Sequence, residues 1–336
     1  MQNSGNNLHS ALIISEIASR YQTTEMLIEE YAKEPSKLFQ LFEAATDRDN
    51  QEYAQKTDLI DKIFKKIEEF DSENKLDENQ VNKIVGLSSK IYSLSINDSL
   101  KAEYSEFCVK HLNADNVFSY LKGAINAKGE GNIRKCLDYI SQETGLKFLL
   151  RDDSSLLIKI IDPKIPLDQL SKQIKKLSKL FNGQLVITFI PKNSFAMSII
   201  EKFIETHSKL IQSLDLKKLG NKIDDQSIKK IIGFAPNLYH LHIKSNQIIG
   251  EGLDELGSLK NLTSLDLTVC VGLKQLPENL PAGLTSLILA SCKGLKQLPE
   301  NLPAGLTSLD LTRCGGLKQL PENLPSGLTS LHLNWC

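Results

Sequence analysis

Three groups of residues in this chain have types and spacings that could carry chemistry. Four of the six cysteines, Cys270, Cys292, Cys314 and Cys336, recur every 22 residues. His240 and His242 stand two apart, and Asp71 to Asn82 carries the carboxylates and amides of a calcium loop. A line of evenly spaced thiolates cannot wrap one tetrahedral zinc. Neighbouring strands about 4.8 Å apart would leave a disulfide within reach. Buried, reduced thiols bonded to loop backbone are the leading expectation, because no conventional secretory signal precedes them. The calcium reading fails on two positions: Leu76 stands where glycine is needed and Asn82 where a bidentate glutamate is needed. Both histidines should face one side of a strand, but with no cysteine or carboxylate beside them they read as exposed polar positions rather than metal ligands. No phosphate loop, nucleophile elbow or HExxH element occurs. Neither an enzyme, nor a cofactor, nor a metal is expected.

Composition narrows the partners. The 336 residues carry a net charge of −1 and are 41% hydrophobic, which favours neither a disordered chain nor a nucleic-acid partner. No stretch approaches the ~18 apolar residues of a membrane span, and the start, Met1 to Asn7, lacks a basic and then apolar leader. The expected location is the cytoplasm, or a host cell reached through a specialised secretion system.

The cysteine period belongs to a longer repeat. Leu262-Thr-Ser-Leu265-Asp-Leu267-Thr-Val-Cys270 returns at Leu284, Leu306 and Leu328, and Gly-Leu-Lys-Gln-Leu-Pro-Glu-Asn-Leu-Pro follows at Gly272, Gly294 and Gly316. Alternation along a strand sends Leu265 and Leu267 inward and Ser264, Asp266 and Thr268 outward. Proline in the return half predicts extended backbone or a 3₁₀ turn rather than an α-helix, with Leu273, Leu276 and Leu280 filling the core from that side. Looser copies begin at Ile211 and Leu238, the latter with Asn246 in the cysteine column, and Asp225 to Ile232 reads as a short helix between them. The first two regular copies differ only at Asp266/Ile288, Thr268/Ala290, Val269/Ser291 and Val271/Lys293, and the third changes the same four columns plus Ala304/Ser326. Exposed positions drift freely after a duplication and are equally open to selection for a ligand; either way these columns mark a candidate protein-binding face comprising Asp266, Ile288, Asp310 and His332, the flanking Arg313 and Trp335, and His240 and His242 on an earlier strand.

Three regions must position this face. Residues 1–145 read as a helical bundle, with apolar stripes at Leu59/Ile60/Ile63/Phe64/Ile67, Val81/Ile84/Val85/Ile91/Tyr92, Leu100/Tyr104/Phe107/Cys108, Val117/Leu121/Ala124/Ile125 and Ile133/Cys136/Leu137/Ile140. Asp115 or Asn116 should cap the fourth of these helices. Residues 146–210 alternate strand (Leu156 to Ile161), helix (Leu167 to Phe181), strand (Leu185 to Ile190) and helix (Phe195 to Leu210), an α/β cap whose strands extend the parallel sheet. Lys172, Lys175, Lys176 and Lys179 form the solvated face of its first helix. Residues 211–336 carry the repeats.

The template L-x-x-L-x-L-x-x-N/C resembles the leucine-rich repeat, which implies an α/β fold, a solenoid with a parallel concave sheet following the helical bundle. The copies from Leu262 resemble the LPX-type repeats of bacterial effector proteins, and their C-x-G-L-x-x-L-P element is also similar to repeats of plant disease-resistance receptors. The segment from Leu100 to Leu121, continued by Arg134 to Ile140, resembles the helices that end a BTB domain and the BACK-type helices after it. Together these resemblances imply a non-enzymatic protein-interaction module of effector type, of the kind found in intracellular bacteria, that grips a partner on the concave sheet. The alternative they imply is a ubiquitin-ligase substrate adaptor whose helices dock the ligase. The chain stops at Cys336 inside a repeat, so no catalytic ligase domain is expected after it, and the last leucines are expected to stay exposed or to pair with another surface.

Overall fold

A computed structural model describes residues 24–46, 56–94, 96–151, 155–161 and 163–336. The polar start at Met1 to Asn7 lies outside the described residues. The chain divides into two compact units, Met1–Ile140 and Ser141–Cys336. No described helix is long and apolar enough to cross a membrane.

The first unit is helical: α1 (Thr24–Tyr31), α2 (Pro35–Ala45), α3 (Lys56–Ser72), α4 (Glu78–Gly86), α5 (Ser88–Ile91), α6 (Asp98–Lys110), α7 (Val117–Asn126) and α8 (Glu130–Thr144), the last reaching past the boundary between the units. Phe64 is the hub, with its ring 6.0 Å from Phe42, 5.5 Å from Tyr104 and 5.7 Å from Phe107. Tyr104 is buried, and its hydroxyl donates to the Ile84 carbonyl at 2.6 Å, so the polar tip costs no unmet hydrogen bond. The single stripe expected from Val81 to Tyr92 is broken at Leu87 into α4 and α5. There Gly123 of α7 lies so close to Ser88 that an added Cβ would stand 2.7 Å from the Ser88 side chain.

Asp71, Asp77 and Asn82 of the rejected calcium loop have structural work. Asp71 accepts hydrogen bonds from Lys110 Nζ at 2.6 Å and His111 Nε2 at 2.9 Å. Burial by itself would raise its pKa, but these two partners outweigh that and hold it below the usual carboxylate value. Asp77 caps α4 through a reciprocal pair with Gln80, and Asn82 Oδ1 accepts from Asn113 and Asn116. Asn116 occupies the N-cap position of α7 without capping it, because its Oδ1 accepts from the Asn113 N–H at 3.0 Å while its amide donates to Asn82 Oδ1 and the His111 carbonyl. The backbone N–H groups of Asp115 and Asn116 go instead to Asn113 Oδ1.

The second unit is mixed α/β around one nine-stranded sheet in chain order: β1 (Lys147–Leu150), β2 (Leu156–Ile160), β3 (Leu185–Phe189), β4 (Ile211–Asp215), β5 (His240–His242), β6 (Ser264–Asp266), β7 (Ser286–Ile288), β8 (Ser308–Asp310) and β9 (Ser330–His332). Only β1 runs antiparallel to its neighbour. Its outward positions carry Lys147 and Leu149, and this strand was not anticipated from the sequence. The helices α9 (Leu167–Leu180), α10 (Met197–Thr206) and α11 (Asp225–Phe234) connect β2 to β3, β3 to β4 and β4 to β5. Beyond β5 the connections carry only the 3₁₀ turn Glu251–Ser258 and then irregular backbone, as the prolines require.

The core of this unit lies behind the sheet. Leu265, Leu267, Leu273, Leu287, Leu289, Leu295, Leu309 and Leu311 are fully buried, while Leu280 is only half-buried. Glycine is obligatory where one copy rests on the last: at Gly294 an added Cβ would come within 2.6 Å of the Val271 carbonyl and 2.8 Å of the Leu273 carbonyl. On α9 the four lysines are exposed and Leu170, Ile174 and Leu177 are buried, as the stripe predicts.

Two measurements test this packing. Leu287→Ala removes a side chain walled in by copies on both sides, and equilibrium denaturation should register a loss of about 2 to 5 kcal/mol; a loss under about 1 kcal/mol would place Leu287 outside the core. His207 is buried beside Ser171, its Nε2 3.0 Å from Ser171 Oγ. Burial first, and Lys175 second, press its pKa down to about 4. The folded state therefore keeps the ring neutral while the unfolded chain protonates near the usual histidine value, about 6.5. The associated stability is complete above about 6.5 and is lost as pH falls from there toward about 4. In His207→Gln the melting temperature should change less with pH across that window than in the wild type.

Candidate functional site

Every strand from β6 to β9 is pinned at both ends by the residue types that the repeat keeps constant. At the start, one carbonyl receives three donors: Thr263 O accepts from Thr285 N at 2.9 Å, Thr285 Oγ1 at 3.0 Å and Ser286 N at 3.0 Å. The same arrangement recurs from Thr307 to Thr285 and from Thr329 to Thr307. At the other end the thiols reach back one copy, Cys292 Sγ donating to Leu267 O at 3.1 Å and Cys314 Sγ to Leu289 O at 3.0 Å. All six cysteines are free. Burial raises the Cys270 and Cys314 thiols to about 11 and pushes Cys292 up further.

Between strand and cysteine the chain turns through one residue in the left-handed region. Val269, Ser291, Arg313 and Trp335 have φ of 65°, 65°, 62° and 64°. A left-handed non-glycine residue costs roughly 1 to 2 kcal/mol, and a β-branched valine there is the most strained of the four. The turn persists because the N–H of Val269, Ser291 and Arg313 each donates to the next copy, at 2.7 to 2.8 Å. In the loose copy starting at Leu238 this turn is missing, so Asn246 does not sit in the buried column. Asn246 is exposed, and Ser245 takes the inward place, its hydroxyl donating to the Ile223 carbonyl.

Outward side chains form two cross-strand rows. The first runs Ser213, His240, Ser264, Ser286, Ser308, Ser330, and the second Asp215, His242, Asp266, Ile288, Asp310, His332. The structure thus aligns His242, Asp266, Ile288, Asp310 and His332, puts His240 in the neighbouring row, and sets Arg313 and Trp335 on the turns beyond. His242 does have carboxylates beside it, which corrects the sequence reading: Nδ1 lies 3.7 Å from Asp215 Oδ1 and Nε2 3.3 Å from Asp266 Oδ2. Asp215 comes from the copy before and Asp266 from the copy after, so only stacking makes them neighbours. The alignment of Leu214-Asp215-Leu216 with Leu241-His242-Ile243 was the available signal for Asp215.

Local bonds fix the acids. Asp266 Oδ1 accepts from the Thr268 N–H at 2.9 Å and its hydroxyl at 2.5 Å, Asp310 Oδ1 from the Thr312 N–H at 2.8 Å, and Asp215 pairs with Lys217 Nζ at 3.1 Å. Such a face can recognise a partner by hydrogen bonds and charge. On this face Ser330 Oγ lies 3.0 Å from His332 Nε2, both on β9, and no group of three or more histidine, cysteine or acidic side chains among the described residues is placed to hold a metal.

Buried thiols with raised pKa values react slowly, since the thiolate is the nucleophile. Iodoacetamide at pH 8 should therefore label the exposed Cys336 in the native protein and spare Cys270, Cys292 and Cys314. All should react in denaturant; rapid native labelling of Cys292 would mean that the thiol ladder is open.

No family model matches the sequence and no curated protein matches it, so any functional reading rests on the site geometry itself.

Proposed function

We propose that residues 211–336 form a leucine-rich-repeat solenoid of LPX-like type that acts, without catalysis, as a protein-interaction module, gripping a protein partner on the outward sheet face. One observation carries this reading. Among the copies from Leu262 to Gly327, four of the five columns that differ lie on the outward strand positions or in the turn that follows. On the opposite side, Lys274, Gln275, Glu278 and Asn279 are just as solvent-exposed, yet they repeat unchanged as Lys296, Gln297, Glu300 and Asn301 and again as Lys318, Gln319, Glu322 and Asn323. Exposure alone permits substitution on both sides. Variation concentrated on one side, in four columns of five, is what selection for a partner on that side produces, over a scaffold whose other contacts are held constant.

The rows suit such a role. Ile288 sits half-buried between Asp266 and Asp310, an apolar position bordered by charges, and the serine row offers hydroxyls along its length. Fixed side chains on a rigid sheet lose little entropy on binding.

The reading is tested by capture. Proteins retained from a lysate by the immobilised wild-type chain should be lost, by about tenfold or more in affinity, with Asp266→Arg and Asp310→Arg. Lys296→Glu on the opposite side should retain them. Far-ultraviolet spectra and melting curves of all three should match the wild type; equal capture by the sheet variants would move the site off the sheet.

A further inference from the structure

The variable columns continue past the sheet into its turns, and there they converge. Lys293, Arg313, Gly315 and Trp335, drawn from three successive copies, line a shallow hollow, and every one of them belongs to a column that differs between copies. Lys293 and Arg313 are exposed, and Trp335 is 82% exposed. Gly315 stands where the earlier copies carry Val271 and Lys293, and nothing lies within 4 Å of the place a Cβ would occupy, so the floor is open. The left-handed turns at Arg313 and Trp335 hold the backbone there. Two cations and an indole around an open floor are a receptor for a carboxylate next to an apolar side chain.

We propose that this hollow takes an acidic segment of the partner protein, a glutamate or aspartate carboxylate lying against Lys293 and Arg313 while a neighbouring apolar side chain covers Trp335. This rests on the reading of the sheet face as a protein-binding surface and names the chemistry of the partner at its turn end. A guanidinium and an ammonium bind carboxylates with charge-assisted hydrogen bonds, and tryptophan and arginine are the residue types that most often anchor interfaces. Charge decides between an acidic protein and a nucleic acid. A phosphate backbone brings a continuous row of negative charge, which would have to pass the Asp266 and Asp310 row beside the hollow, whereas one or two carboxylates need only the two cations. The net charge of −1 offers a polyanion no wider attraction.

The chain has a single tryptophan, so its emission reports the hollow directly. The probe is a synthetic peptide of alternating glutamate and leucine, with its glutamine counterpart and a single-stranded DNA oligonucleotide as alternatives. The glutamate peptide should shift Trp335 emission, more weakly as salt rises, and the glutamine peptide should not. Lys293→Glu with Arg313→Glu should weaken the response by about tenfold or more, Arg313→Gln by less, and Lys296→Glu should leave it unchanged. An equal response to both peptides, an undiminished response in folded charge-reversed protein, or tighter binding of the oligonucleotide overturns the proposal. Capture of a partner that depends on Asp266 and Asp310, without any peptide response, would sink the hollow and leave the sheet reading standing. Loss of both would sink both.

Discussion

A 22-residue unit with one three-residue strand cannot bury its own leucines, and the packing of the copies from Leu262 onward follows from that. Leu287 and Leu289 are shielded only because copies lie on either side. Burying a leucine stabilises by roughly 1.5 to 3 kcal/mol, and several inward leucines per copy outweigh the roughly 1 to 2 kcal/mol that each left-handed turn costs. The strain at Val269 is therefore tolerated, since straightening that turn would lose its hydrogen bond to the next copy and misplace the buried Cys270 behind it.

Close stacking also explains the side chains that never vary. A threonine hydroxyl and two amides share one carbonyl at the start of each strand, and a thiol meets the preceding copy's carbonyl at the end. Glycine at 272, 294 and 316 is the only residue without an atom where the previous copy's backbone lies. These contacts use the inward positions and the two ends. They leave the middle outward position and the turn residue unconstrained by packing, so the side chains there can change without disturbing the stack. Position and freedom to vary coincide for a steric reason.

In the helical unit the polar side chains serve packing. Tyr92, Tyr120, Ser105 and Asn132 form one hydrogen-bonded cluster between helices, with Tyr92 and Tyr120 hydroxyls 3.0 Å apart and Ser105 donating to Asn132 at 2.7 Å. Burial raises the pKa of both tyrosines, so the cluster stays protonated and neutral. Asp71, which heads a segment resembling a calcium loop, is an anchor for Lys110 and His111. Carboxylates in a suggestive sequence pattern are as readily consumed by such anchors, because an acidic side chain near a helix end finds its own fold's cations first.

Much of this was legible in the sequence. The 22-residue period, the inward leucines, the cysteine column and the helix–strand alternation from Leu156 to Phe234 are local or strictly periodic signals, and period fixes which face a side chain takes. The outward row was legible too, because Asp266, Ile288, Asp310 and His332 occupy one column of the repeat. Tertiary structure alone decided the rest. The antiparallel β1 has no periodic partner to announce it, and at the break between α4 and α5 Ser88 meets Gly123 of α7, a residue distant in the chain. The buried Ser245 in place of Asn246 follows from one turn angle. His242 gains Asp215 and Asp266 from copies 27 and 24 residues away, and the hollow at Arg313 draws on three copies at once. A repeat specifies what each copy contributes, whereas neighbours across copies exist only after the copies have stacked.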